Sequence, residues 1–271
     1  MIGLVQVGGT PLADRFTYVP LIGLFMALAW GLDEMCVDRA APKPVIIFLV
    51  AVMLAACALR TRDQLGYWQN NETLLRHTLA VTKNNYTACI NLGTWLSKKG
   101  QPVEAMDCFH QALQINPDDS DVLYNLGNAC AKAGNWDEAI SSYRHALRIT
   151  PNQADVLDNL GLALVAKKQY AEAVANFEAA LKLDPGSVSA HNNLAAILFM
   201  EHRFKEAAQH YREALRVTPN NPQIHVNFGD ALLKLGQTND AVKNYRAALR
   251  FSPGDAKIHA KLHALGAETP K

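Results

Sequence analysis

Histidine is the residue with the widest chemical range in this chain, and there are nine. His191, His225 and His259 stand 34 residues apart, and His259 and His263 stand four apart. A metal ion needs several ligand atoms about 2 Å away. Side chains on successive stacked helices are set about 8–10 Å apart by the packing of those helices. The row of three therefore shares no ion. His259 and His263 would lie on one helical face, but no third ligand joins them, so no metal site and no cofactor is expected. The cysteines agree. There are five, an odd number without a C-x-x-C, which fits neither a disulfide framework nor a zinc site. Cys89 and Cys130 take apolar positions and Cys57 lies in an apolar run, so they read as small buried hydrophobes. No nucleophile–base pattern, Gly-rich phosphate loop or HExxH occurs. As it stands, the chain offers nothing to catalyse with, and no enzymatic activity is expected of it.

A second row of polar residues is of another kind. Asn91, Asn125, Asn159, Asn193 and Asn227 recur at one interval, each just before a leucine or phenylalanine. Asparagine is a poor helix-interior residue, because its amide competes with the backbone. One helical step from a buried leucine, it should edge the inner, concave surface of a helical stack. Each amide offers a donor and an acceptor, which matches a peptide unit. The row reads either as a ladder that grips a protein or peptide ligand, or as an Asn-Leu-Gly idiom copied by duplication.

The elements that hold this row are periodic. Pro117, Pro151, Pro185, Pro219 and Pro253 are separated by 34 residues each. Gly93, Gly127, Gly161 and Gly229 keep phase, with Ala195 in the fourth unit. Ala105, Ala139, Ala173, Ala207 and Ala241 are each followed four residues later by an aromatic, Phe109, Tyr143, Phe177, Tyr211 or Tyr245. Each unit divides into a helix A and a helix B. In the first these run over Thr87–Lys99 and Pro102–Ile115. Gly100, Gly134 and Gly236 end helix A, where a left-handed residue is wanted, and Lys168 and His202 take that place in the other two units. The prolines stop helix B. Small residues at the Gly and Ala positions let the two helices approach closely. With this skeleton the chain resembles the tetratricopeptide repeat (TPR), a helix–turn–helix unit. The expected fold is all-α, with five repeats (86–119, 120–153, 154–187, 188–221, 222–255) stacked into a right-handed solenoid, because no unit can bury its apolar face alone. Residues 256–271 read as a capping helix and tail, and 63–85 as a linker and half repeat whose helix covers 68–83.

Ahead of the repeats, residues 1–62 read as a membrane segment. Phe16–Leu32 and Pro44–Leu59 carry no charge over 17 and 16 residues, at or just below the ~17–25 needed to span a bilayer. Tyr18 and Trp30 mark the ends of the first run, as interfacial aromatics would. The expectation is a transmembrane helical hairpin (16–32, 44–59). The alternative is a buried helix pair. Residues 1–15 do not look like a signal peptide, for no Lys or Arg precedes the first apolar run. Arg15, Arg60 and Arg62 against Arg39 and Lys43 leave the side of the repeats undecided, with a slight positive excess in favour of the cytoplasm. Lys and Arg number 26 against 25 Asp and Glu. That balance leaves no basic stripe, so nucleic acid is not an expected partner.

The stretch Ala13-Asp14-Arg15-Phe16-Thr17-Tyr18-Val19-Pro20 resembles a membrane-edge motif of polytopic protein O-mannosyltransferases that carry C-terminal tetratricopeptide repeats. Their catalytic acidic residues lie many helices upstream, so the resemblance carries no catalytic role to this chain. It implies a C-terminal portion or an accessory relative of such an enzyme, with membrane glycosyltransferase subunits as partners and with the repeats outside the cytoplasm. From the residues themselves the expected function is a membrane-anchored scaffold that binds an extended segment in its groove.

Overall fold

The computed structural model describes residues 43–267. Thirteen α-helices make up the regular structure among these residues: α1 Lys43–Tyr67, α2 Asn71–Val81, α3 Tyr86–Lys99, α4 Pro102–Ile115, α5 Ser120–Ala133, α6 Trp136–Ile149, α7 Ala154–Ala166, α8 Tyr170–Leu183, α9 Val188–Met200, α10 Phe204–Val217, α11 Pro222–Lys234, α12 Thr238–Phe251 and α13 Ala256–Ala264. They divide into two compact units, whose described parts are 43–92 and 93–267.

In the second unit the odd-numbered helices are A helices and the even-numbered ones B helices. An A helix opens on a side-chain cap where the sequence supplies one. Asp119 accepts from the Asp121 and Val122 amides, Ser187 from Ala190, Asn221 from Ile224 and Asp255 from Lys257 and Ile258. These bonds satisfy donors that the first turn leaves without a helical partner. The A-to-B turn passes through one left-handed residue in every repeat: Gly100, Gly134, Lys168, His202 and Gly236, with φ between 61° and 82°. Each B helix ends two residues before its proline. The recurring alanines of the B helices are fully buried, and Phe109, Tyr143, Phe177 and Tyr245 are the largest side chains among them. The A and B helices of a repeat pack on each other, and each B helix packs on the next A helix. The all-helical tetratricopeptide solenoid expected from the period is therefore the fold.

The first unit departs from expectation in two places. α1 runs on past Leu59 through Arg60 and Arg62 to Tyr67, where a linker was expected. α2 begins at Asn71 instead of Trp68, because Asn70 caps it. The Asn70 carboxamide oxygen accepts from the Thr73 amide at 2.9 Å, and Thr73 Oγ1 accepts from the Asn70 amide at 3.4 Å, a reciprocal capping box. The transmembrane hairpin is not supported. Its first helix, 16–32, lies outside the described residues. Its second run lies on α1, and among the described residues no helix is long and apolar enough to cross a membrane. Sixteen charge-free residues measure only about 24 Å at the helical rise of about 1.5 Å per residue, short of the ~30 Å hydrocarbon core.

Candidate functional site

Successive A helices touch one another, α5 to α7, α7 to α9 and α9 to α11, more closely than successive B helices do. The second unit is therefore tighter on its A side, and the A helices supply its inner face. Each A helix turns one stripe to the core and another to this face. On α7, Val156, Leu160, Ala163 and Leu164 are buried, while Asp155 and Leu162 are exposed. Asn125, Asn159, Asn193 and Asn227 lie on the border between the stripes, half-buried. Asn91 is exposed and belongs to the first unit.

The amides of this row reach backwards along the stack. Asn159 Nδ2 donates to Tyr124 Oη at 3.1 Å and to Asn128 Oδ1 at 3.0 Å, both one repeat earlier. Asn193 Nδ2 donates to Asp158 Oδ1 at 3.4 Å and to Ser189 Oγ at 3.3 Å. Asn227 Nδ2 donates to Asn192 Oδ1 at 3.5 Å, and its own oxygen accepts from Gln223. Lys261 of the capping helix stands one period beyond Asn227 and does the same with charge. Its Nζ meets Asp230 Oδ1 at 2.5 Å, and Tyr245 Oη donates to that oxygen at 2.6 Å. From α7 onward the row thus ties each A helix to the one before it, which periodicity alone had not disclosed. Its partners differ from repeat to repeat, so they left no recurring signal in the sequence. Two acceptors remain over. Asn159 Oδ1 meets no donor among the described residues, and the Asn125 amide makes no hydrogen bond there.

Asp158 is the buried carboxylate of this face. Ser189 Oγ donates to Oδ2 and Asn193 to Oδ1. Burial raises its pKa above the ordinary carboxylate range, the two hydrogen bonds pull it back, and Asp155 pushes it up again.

The histidine row has a local task. The Nε2 atoms of His191, His225 and His259 face the carbonyl oxygens of Pro185, Pro219 and Pro253 at 3.1, 2.9 and 2.9 Å. Each ring therefore pins the proline loop to the A helix that follows it. His191 is buried, and its Nδ1 lies 2.9 Å from His210 Nδ1 on α10. With Nε2–H committed to a carbonyl, neutral His191 can only accept at Nδ1, so His210 must donate. Burial, and then His191, lower the His210 pKa, while Glu206, Glu178 and Glu213 act against them. Cys89, Cys108 and Cys130 are buried. Burial and then Glu138 push the Cys130 thiol up to about 12, the behaviour of an inert core residue.

Three comparisons bear on this arrangement. Residues 51–269 match the family described as the cilia and flagella-associated protein 70 C-terminal domain. The chain is similar to protein O-mannosyl-transferase Tmtc2 of Drosophila melanogaster, 28% identical over 114 residues, which cover 42% of this chain and 12% of that protein. This chain thus matches only a small part of that relative's length. The likeness falls in the repeats; the motif at 13–20 lies outside the described residues. Among solved structures it is similar to the MamA protein, with a TM-score of 0.57 at 21% identity over 64% of this chain and 94% of that one. It is similar as well to YrrB, titled a TPR protein with an unusual peptide-binding site, with a TM-score of 0.57 at 21% identity over 70% and 96%. Both likenesses are of fold.

Proposed function

This chain belongs to the family of the cilia and flagella-associated protein 70 C-terminal domain, a tetratricopeptide-repeat family, and from that premise we propose that it is a non-catalytic scaffold, held at a membrane, that binds an extended peptide along its A-helix face. The observation that carries the reading is the repetition of one half-buried amide on successive A helices that touch each other. The peptide-binding site named for YrrB, on the same fold, supports it. Asn125, Asn159, Asn193 and Asn227, which share the second unit, are assigned to the ligand's backbone. Asn125 and Asn159 offer it unspent acceptors, while Asn193 and Asn227 act chiefly by keeping adjacent A helices in register. Membrane attachment is supported by α1, whose residues 44–59 carry no charge and which exposes Phe48, Val52 and Leu59 along one stripe and Leu54 on another face. A helix apolar on all sides needs an apolar environment.

The test separates binding from stability. Asn125→Ala removes a side-chain amide that makes no hydrogen bond among the described residues, so it should weaken binding to an arrayed peptide library several-fold and leave the thermal midpoint unchanged. Asn159→Ala and Asn193→Ala each break ties to the preceding repeat, worth about 0.5–1.5 kcal/mol per bond, and should lower both. Stability loss without any binding loss across the set would make the row purely structural.

The likeness to protein O-mannosyl-transferases favours one second reading. In it the chain is the C-terminal or accessory part of a membrane glycosyltransferase, and its repeats present acceptor protein. That reading requires the chain to co-purify with a membrane glycosyltransferase, whereas the scaffold reading does not.

A further inference from the structure

The A-helix face changes character along the stack. Toward the C-terminal end of the A helices it carries Leu162 and Val165 on α7, Phe199 and Met200 on α9, and Leu233 on α11. Leu162 is 41% exposed and Met200 53%, whereas Val165 and Phe199 are half-buried. These are the inner-face positions of repeats three to five, and in repeat two the same positions hold Asn128, Ala131 and Lys132. Within the strip Phe199 meets Phe204 of α10 edge-on at 5.2 Å between ring centroids, but the exposed Leu162, Met200 and Leu233 lie away from the core stripe and do not serve it.

The strip is bracketed by positive charge. Met200 stands at the same place in its repeat as Lys98, Lys132 and Lys234 do in theirs. Lysine in the last helical turn complements the helix dipole, which explains the charges but not the apolar side chains between them. None of the three ammonium groups has a carboxylate partner among the described residues. Lys132 reaches only the carbonyl and hydroxyl oxygens of Ser97, at 3.5 and 3.4 Å. Lys167 in the same neighbourhood is held by Asp137 at 2.8 Å. The carboxylate nearest the strip in sequence, Glu201, is held by Arg203 at 3.3 Å.

Resting on the groove reading above, we propose that the occupant of this face is an extended peptide with an apolar centre and carboxylate side chains at both ends. Charge complementarity sets the ends, and the strip sets the centre. Adjacent helices are about 10 Å apart and an extended chain rises about 3.3 Å per residue. The three repeat steps from Lys132 to Lys234 therefore take about nine residues. About six of these lie over the strip, and the acidic residues flank them.

The experiment uses the full chain in nonionic detergent and fluorescein-labelled synthetic peptides of about twelve residues. One has an acidic–apolar–acidic order, one carries lysines in place of the acids, and one is a scramble of the first. Anisotropy should show the first bound at least about tenfold more tightly than the others, a difference of about 1.4 kcal/mol. Leu162→Asp and Met200→Asp should each remove most of that binding with the thermal midpoint unchanged. Lys132→Glu with Lys234→Glu should turn the preference toward the lysine-flanked peptide. Should the aspartate variants not fold, Met200→Gln and the charge reversal decide the matter. Equal affinity for all peptides, or binding indifferent to these substitutions, overturns the proposal. If Asn125→Ala still weakens that indifferent binding, the groove reading stands without it, and if no peptide binds at all, both fall. A strip that instead mediates binding to phosphatidylserine vesicles, lost in Leu162→Asp while peptide binding persists, also overturns it.

Discussion

Tyr143 fills the space that a side chain at Gly127 would need. A Cβ there would stand 2.5 Å from Cε1 of the ring, and the same conflict recurs between Gly161 and Phe177 at 2.6 Å. The ring cannot retreat, because Tyr143 is buried and its hydroxyl donates to Asn128 at 2.7 Å. Gly127→Ala should therefore cost about 1–3 kcal/mol, as overpacking does, measured by denaturant unfolding. Repeat four carries Ala195 at this place with Tyr211 still buried. A second residue-scale prediction concerns acid. The His210 pKa is depressed in the fold, so the unfolded chain takes up its proton first as pH falls below the ordinary value of about 6.5. The stability associated with neutral His210 is thus full above that value. It is lost as pH falls from there to the folded pKa, with a slope of at most about 1.4 kcal/mol per pH unit. In repeat five Asn244 occupies the place of His210 against His225. His210→Asn copies that pairing, and the variant should lose less stability than the native chain between pH 7.5 and 5.5. An equal loss in both would mean that the pair does not set the acid sensitivity.

Within a repeat, the A-to-B turn is the element that the period specified most fully. Gly134 and Lys168 share one left-handed conformation, with φ of 79° and 61°. A non-glycine residue pays about 1 kcal/mol to stay there. Nothing lies within 4 Å of a Cβ built at Gly134, so backbone strain is the whole difference. Lys168→Gly should be neutral to stabilising and Gly134→Lys destabilising, both by up to about 1 kcal/mol, read from thermal midpoints. A clear loss for Lys168→Gly would mean that its side chain supports the turn. Features of this kind were legible because each repeat restates them: the turn residue, the proline stop, the alanine–aromatic register. What repetition did not restate was not legible. The end of α1 is an example, since hydropathy marks where an apolar run stops at Leu59 but not where the helix stops, and Arg60 and Arg62 are as good in a helix as out of it. The start of α2 is another, because its cap pairs Asn70 with Thr73 and not with the Glu or Gln of the usual signature. The asparagine row was visible in the sequence, but its hydrogen bonds to the preceding A helix were not. Asp158, Asn192 and Asn128, which receive its hydrogen bonds, sit at different repeat positions or change type between repeats.

For the whole molecule, the open question is what meets α1. The second unit covers its core stripes by stacking, helix on helix, out to the cap at α13, and leaves the A-face strip exposed. α1 has no such arrangement among the described residues. It packs on α2 at one end, yet Phe48 is 67% and Leu59 63% exposed. About 25 cal/mol is at stake for each Å² of such surface left in water, so four large apolar side chains favour a bilayer by several kcal/mol. The membrane reading therefore predicts that the full chain, expressed without detergent, floats with phospholipid vesicles in a sucrose gradient. A chain cut after Tyr67 should stay at the bottom, mostly helical by circular dichroism, because the Asn70–Thr73 capping box that starts α2 survives the cut. Flotation is the deciding measurement because aggregation through α1 would pellet the full chain but would not carry it upward with lipid. If the full chain remains soluble at the bottom, or sediments without floating, α1 is covered by protein, and the scaffold is not held at a membrane through it.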